Sequence, residues 1–389
     1  MTQPNRAQPS SAVPHRAEVV VDLDVIAANA AALRERVGRP LMAVVKADGY
    51  GHGLVPAARA ALAGGADALG VTVLEEALAL RAAGVTAPVL SWQHVPGADY
   101  AAGITADVEL SVNADWALAE VVDAARAAGR TAAVQLFVDT GLSREGATVA
   151  DWPALVEAAV RAQADGDVVV TGLWSHLAYA DEPTHPTIGT QVAVFEEATA
   201  LARGAGLTEA RRHLANSAAT VALPHTWYDQ VRPGVAVYGL DPLGGDPAVH
   251  GLRPAMTVRA RVALTKRVPA GTGVSYGHTH HTAAAANLAL VPVGYADGVP
   301  RAAGNRAQVL VAGARRTIAG RVCMDQFVLD LGDDELAPGD EVVLWGPGDA
   351  GEPTAQDWAD VLDTIHYELV TRVGGRFTRT YRGSAGVAP

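Results

Sequence analysis

The stretch LMAVVKADGYGHG, residues 41–53, decides how the chain is read. Five apolar residues, Leu41 to Val45, end in Lys46, and Gly49, Gly51 and Gly53 follow within seven positions. A short apolar run closed by turn residues is the pattern of a strand buried on both faces. Lys46 then stands where that strand leaves the core. An amine there is either a snorkelling or ion-paired structural residue or a group held for chemistry. It is not part of a phosphate loop of the GxxxxGK[ST] type, because the lysine precedes the glycines.

Working outward, similar runs alternate with Ala-rich helical stretches as far as Asp241. Candidate strands are 41–45, 68–72, 88–92, 108–112, 133–138, 168–174, 212–217 and GVAVYG at 234–239. Between them EEALALRAAG (75–84), WALAEVVDAARAAG (116–129) and TQVAVFEEATALARGAG (190–206) read as helices ending in glycine, a stop signal. Eight such units predict an α/β fold, an N-terminal (β/α)8 TIM-like barrel, with an open doubly wound sheet as the rival. After the Gly/Pro-rich joint DPLGGDPAVHGLRP (241–254), short closely spaced strands predict a mostly β domain. One helix, 354–373, interrupts it, with Thr354 as N-cap and Asp357 three residues on. The expected division is a disordered tail over 1–16, a barrel over 17–250 and a C-terminal β domain over 251–389. The strand near 17–22 is a candidate to join the last of these.

Composition narrows the function classes. The chain has 389 residues, 49% hydrophobic and 19% charged, enough for two cores. A formal net charge of −12 argues against nucleic acid and anionic membranes as partners. No apolar segment reaches membrane-spanning length. The single cysteine, Cys323, permits no intrachain disulfide and no cysteine-based zinc site, and fits a reducing, cytoplasmic compartment.

In a barrel, chemistry gathers after the strands' C-terminal ends. There lie Lys46 and Tyr50, Arg144 in DTGLSREG, His176 in SHLAYAD, Asn216-Ser217, and Arg232 with Gly234 in VRPG. An amine, guanidiniums, an imidazole and a hydroxyl suit an anionic, ring-bearing ligand. With no HxH pair or acidic cluster at these strand ends, no metal site is expected. Singly, each has a structural reading: a buried hydrogen-bonded histidine, an ion-paired arginine, a turn-capping serine.

Together with HLAYAD, ANSAAT, VRPGVAVYG, GVSYG, VGYADG, GRVCMD and IHYELVTR, in this order, the chain resembles the alanine racemase family over its length after the tail. The resemblance implies a barrel plus a β domain, a homodimer with shared sites, and pyridoxal 5′-phosphate as cofactor. It implies that Lys46 condenses with the cofactor aldehyde and serves as base on one face of Cα. Tyr276, from the other subunit, serves the opposite face, helped by His176, itself held by Arg232. A cation at Arg232 disfavours protonation of the pyridine nitrogen and so suppresses transamination and argues against a decarboxylating relative. Tyr50, Asn216, Ser217, Gly234 and Tyr367 fall on cofactor-binding positions, most of them phosphate ligands. Arg144 reaches the cofactor's phenolic oxygen and the substrate carboxylate, near Met324 of the partner chain. Tyr295, Arg301, Arg321, Asp325 and Ile365 line an access corridor.

The implied activity is interconversion of L- and D-alanine, supplying D-alanine for peptidoglycan. The alternatives are a serine or broader-specificity racemase and a pyridoxal phosphate-binding protein without turnover. One position departs from the family: Phe137 stands where a carbamylated lysine often orients the arginine. Arg144 is then expected to be held by a bound anion or another side chain.

Overall fold

The computed structural model describes residues 15–386, so the expected tail lies outside the described residues as far as residue 14. Arg16, at its end, hydrogen-bonds the carbonyls of Pro292 and Arg376 and pairs with Asp297 at 3.2 Å. The chain divides into two compact units. Among the described residues, one comprises 21–256, 363–372 and 381–386; the other comprises 15–20, 257–362 and 373–380.

In the first unit seven parallel strands follow one another in chain order: Met42–Val44, Ala68–Val71, Val89–Ser91, Glu109–Val112, Ala132–Phe137, Val168–Trp174 and Arg211–His213. The first four are buried almost throughout, as strands covered on both faces must be. The eighth stave is not the expected GVAVYG. Val235–Tyr238 forms a 3-10 turn, and closure falls to the segment before it. Met42 N–H donates to Val231 O and Val44 N–H to Pro233 O, while Arg232 N–H donates to Ala215 O. Those bonds join the seventh strand's continuation to the first strand, and the sheet closes into a barrel.

The helices follow their glycine signals. Leu74–Ala82 and Asp115–Ala128 are followed by Gly84 and Gly129 at positive φ, 80° and 62°. Thr187–Gly204 starts three residues before the predicted span. The strand predicted over 212–217 ends at His213, because Ser217 opens the helix Ser217–Ala222 behind an Asn216 cap that accepts from Ala219 N–H at 3.1 Å.

The second unit is built on a nine-stranded sheet that takes in Ala17–Asp22 and Thr378–Arg382 from the two ends of the chain. Antiparallel strands such as Met256–Arg261 and Phe327–Asp330 alternate buried and half-buried residues, the pattern of a one-sided core. The helix predicted over 354–373 is two helices, Ala355–Leu362 and His366–Arg372. Thr354 and Asp357 cap the first reciprocally, at 3.0 and 3.1 Å. Asp363, at φ 57°, ends it, and the second helix belongs to the barrel unit.

Candidate active site

Lys46 leaves its strand into an uncommon turn. Ala47, Asp48, Gly49 and Tyr50 all have positive φ, between 51° and 62°, one turn of left-handed helix. Each non-glycine residue there costs about 1–2 kcal/mol, so the turn must be held from outside. Gly49 N–H donates to Val45 O and Gly51 N–H to Ala47 O; Asp48 accepts from Leu54 N–H at 2.8 Å and donates its own N–H to Glu76. A methyl on Gly51 would sit 2.1 Å from Val370 O, so the helix His366–Arg372 packs directly on this turn. The turn folds the chain back so that Lys46 and Tyr50 line the same cavity, with Tyr367 of that helix.

The cavity measures about 450 Å³. Lys46, Tyr50, Arg144, His176, Asn216 and Ser217 line it, with Arg232, Gly234, Ile365 and Tyr367. Ten of the sixteen residues proposed from sequence therefore meet here. At one part of the wall, Ser217 Oγ accepts from Gly234 N–H at 2.7 Å and Ala236 N–H at 3.3 Å. Its own hydrogen is thereby free to point at a ligand. A methyl on Gly234 would meet Tyr50 Oη at 2.3 Å, so only glycine admits the phenol at this distance. Burial pushes the hydroxyls of Tyr50 and Tyr367 far above the ordinary phenol range, which leaves them as proton donors.

Arg232 lies 95% buried, and burial lowers its pKa to about 9. Its terminal nitrogens donate to His213 Nδ1 at 2.9 Å, to His213 O at 2.8 Å and to Ser175 O at 2.7 Å. Its guanidinium carbon lies 4.8 Å from the ring centre of Trp174, a cation–π contact. The sequence reading tied Arg232 to His176; in the structure its bonds go to His213 and to backbone, and it acts on His176 only through its charge. His176 is pushed down to about 3 by burial, then by Arg232, Arg144 and Lys46, so its ring is neutral at physiological pH. Lys46 is lowered by burial and by Arg144, against Glu76 and Glu145. Arg144 forms no ion pair or hydrogen bond among the described residues. Phe137, at the departing position, is buried and stacks on Trp174 with ring centres 3.9 Å apart.

The structure does not bring the other six residues into this cavity. Tyr276, Tyr295, Arg301, Arg321, Met324 and Asp325 lie in the β unit. Tyr276 is 71% exposed and Met324 53%. Ser275, at φ 61°, bonds Arg321 O at 2.6 Å and sits 3.3 Å from Cys323 Sγ, joining the Tyr276 turn to the Met324 loop. Tyr295 N–H and Ala296 N–H donate to Cys323 O and Met324 O. Gly294 permits this, since a methyl there would lie 2.2 Å from Cys323 O. No cluster of metal-ligating side chains occurs among the described residues. No helix among them is long and apolar enough to cross a membrane.

Sequence reasoning missed Trp92, Trp174 and Glu145 in the cavity wall and His213 behind Arg232. Trp92 and Trp174 end candidate strands, where an apolar residue reads as core. Only attention to the last strand position, not the loop after it, would have found them.

Two family models match the chain: alanine racemase, N-terminal domain, over residues 21–242, and alanine racemase, C-terminal domain, over 255–381. The alanine racemase of Frankia casuarinae is 60% identical over 369 residues, 94% of this chain and 96% of that one. Among solved structures, alanine racemase from a D-cycloserine-producing Streptomyces lavendulae superposes with a TM-score of 0.95 at 55% identity, covering 96% of this chain and 98% of that one. Alanine racemase from Bartonella henselae, solved with covalently bound pyridoxal phosphate, gives a TM-score of 0.85 at 27% identity, with 95% and 100% covered. By fold, by sequence identity and by both family models, this chain belongs to the alanine racemase family.

Proposed function

We propose that the protein interconverts L-alanine and D-alanine with pyridoxal 5′-phosphate held in the barrel cavity. The observation that carries this reading is a half-buried lysine of lowered pKa sharing one cavity with a buried arginine and buried phenol donors. The residues present fit that group. Tyr50, Tyr367 and Ser217 offer hydroxyls to a phosphate ester, and Asn216 caps the short helix that carries Ser217. Gly234 contributes by admitting Tyr50, since its own N–H is already given to Ser217. Arg232 would face the ring nitrogen, Lys46 would take the aldehyde, and Arg144 would serve the phenolic oxygen and the substrate carboxylate. With Phe137 in place of a lysine, a bound anion steadies Arg144.

When bound, the cofactor supplies a ring that accepts the electron pair left on Cα. This chain's residues move the proton. Lys46 Nζ, partly desolvated, carries a larger neutral fraction at pH 7 than an ordinary lysine and takes or returns the proton on one face. Tyr276 Oη of a second copy serves the opposite face. A phenol is a weak base near neutral pH, and the neutral ring of His176 can accept its hydrogen bond. The exposure of Tyr276 and Met324 supports their contribution across a homodimer, where Tyr295, Arg301, Arg321, Asp325 and Ile365 would border the access corridor. D-alanine for peptidoglycan, made in the cytoplasm, is the role this reaction would serve.

The test follows the optical signal of L-alanine and, separately, D-alanine with added pyridoxal phosphate. Both should converge on the racemate. A flat signal from either enantiomer with cofactor bound would sink the reading, and a response to serine alone would move it to a serine racemase.

A further inference from the structure

Behind Arg232 a line of hydrogen bonds runs down the barrel interior. Arg232 Nη1 donates to His213 Nδ1 at 2.9 Å, and His213 Nε2 lies 2.7 Å from Gln135 Oε1. The amide nitrogen of Gln135 donates to Glu109, which also accepts from Thr171 Oγ1 at 2.7 Å. Arg211 stands 3.9 Å from the same carboxylate. Glu109 opens its strand, so it lies at the barrel floor, while Arg232 lies at the mouth. His213 and Gln135 are at most 1% exposed.

Every bond direction in this line is fixed by its two ends. A guanidinium can only donate and a carboxylate can only accept. His213 Nδ1 must therefore be bare and Nε2 must carry the proton. Gln135 must turn its oxygen to His213 and its nitrogen to Glu109. The fold makes room for that amide. The ladder between Ala132–Phe137 and Val168–Trp174 slips at Val134/Gln135, and a methyl on Gly172 would lie 2.8 Å from the Gln135 amide.

We propose that Glu109 is a positioning residue for Arg232, acting through Gln135 to fix the tautomer of His213. Resting on the cofactor-site reading of Arg232, this assigns a role in the reaction to a carboxylate at the opposite end of the barrel. A neutral amide at position 109 removes one of the two constraints and leaves only the guanidinium, so that part of the population turns Gln135 over. His213 then faces a donor at Nε2 and carries its proton on Nδ1, against the guanidinium.

The experiment uses 15N-histidine-labelled full-length protein without cofactor. The wild-type His213 signal should show Nε2–H alone at neutral pH. Glu109→Gln should give a mixture of tautomers. In the cofactor-loaded enzyme it should lower kcat about tenfold with KM little changed, since Arg232 is misplaced only for the chemical step. Glu109→Asp, which keeps the acceptor, should recover part of the loss. If Glu109→Gln does not fold, Gln135→Met cuts the line at the next bond and should give the same mixture. A pure Nε2–H signal in the folded variants, or a loss of thermal stability with kcat unchanged, overturns the proposal. The tautomer is read without turnover, so a protein that failed to racemise alanine would refute the proposed function and leave this result standing.

Discussion

Two histidines show how individual residues at this site respond to acid. His213 has no exposed surface, and burial with Arg232 and Arg211 holds its pKa well below the ordinary 6.5. His176 is pushed down to about 3. The unfolded chain titrates both near pH 6.5, so on acidification it takes protons that the native state refuses. Their contribution to stability is complete above that value and is lost as pH falls toward the folded values. Each deeply buried histidine removes up to about 1.4 kcal/mol per pH unit in this window. His176, with part of its ring open to the cavity, removes less. Urea unfolding at pH 7 and pH 5 should show the loss, and His213→Gln should flatten the slope between them. A slope equal to wild type would show that His213 already accepts a proton in the native state. Residue identity at the barrel mouth was legible because each candidate follows a strand end. What Phe137 does was not, since its partner Trp174 is 37 positions away in sequence and meets it only through parallel pairing of the two strands.

Among the elements, strands covered on both faces announce themselves as apolar runs, and most of the staves were readable on that ground, while the polar Arg211–His213 was placed only by the strand–helix alternation. The eighth was not. Its residues, Val231 to Pro233, include a proline, and GVAVYG directly after it is the more strand-like string. Tertiary context turned that string into a 3-10 turn buried beneath the site. The long C-terminal helix failed for a local reason, since a left-handed aspartate at 363 is invisible to a periodicity count. The left-handed turn after Lys46 carries the clearest prediction for an element. Gly51→Ala adds strain at φ 78° and drives a methyl to 2.1 Å from Val370 O. It should cost at least about 3 kcal/mol and displace Lys46 and Tyr367 together. Denaturation midpoint and cofactor affinity should therefore fall in step. Unchanged affinity in a destabilised variant would show that the turn is only a connection.

For the whole molecule, the division of the candidate residues between two units sets the expectation. Ten line the barrel cavity and six lie in the β unit. If a second copy completes each site, Lys46→Ala and Tyr276→Phe variants are each inactive for a different reason. Mixed in equal amounts and reassembled, half of the dimers carry one intact site of two, giving about a quarter of wild-type activity. No recovery in a mixture shown to have exchanged subunits would place both bases on one chain.

Arg232 sits between the two residues whose carbonyls receive the amides of Met42 and Val44. The bonds that shut the barrel are thus the bonds that carry the arginine's backbone. A transient parting of this single joint would release Arg232, and the first strand with Lys46 after it, in one event. Deuterium uptake at the Met42 and Val44 amides would then be a clock for how often the empty protein disassembles its own chemistry, and a ligand spanning Lys46 and Arg232 would stop that clock without touching either amide.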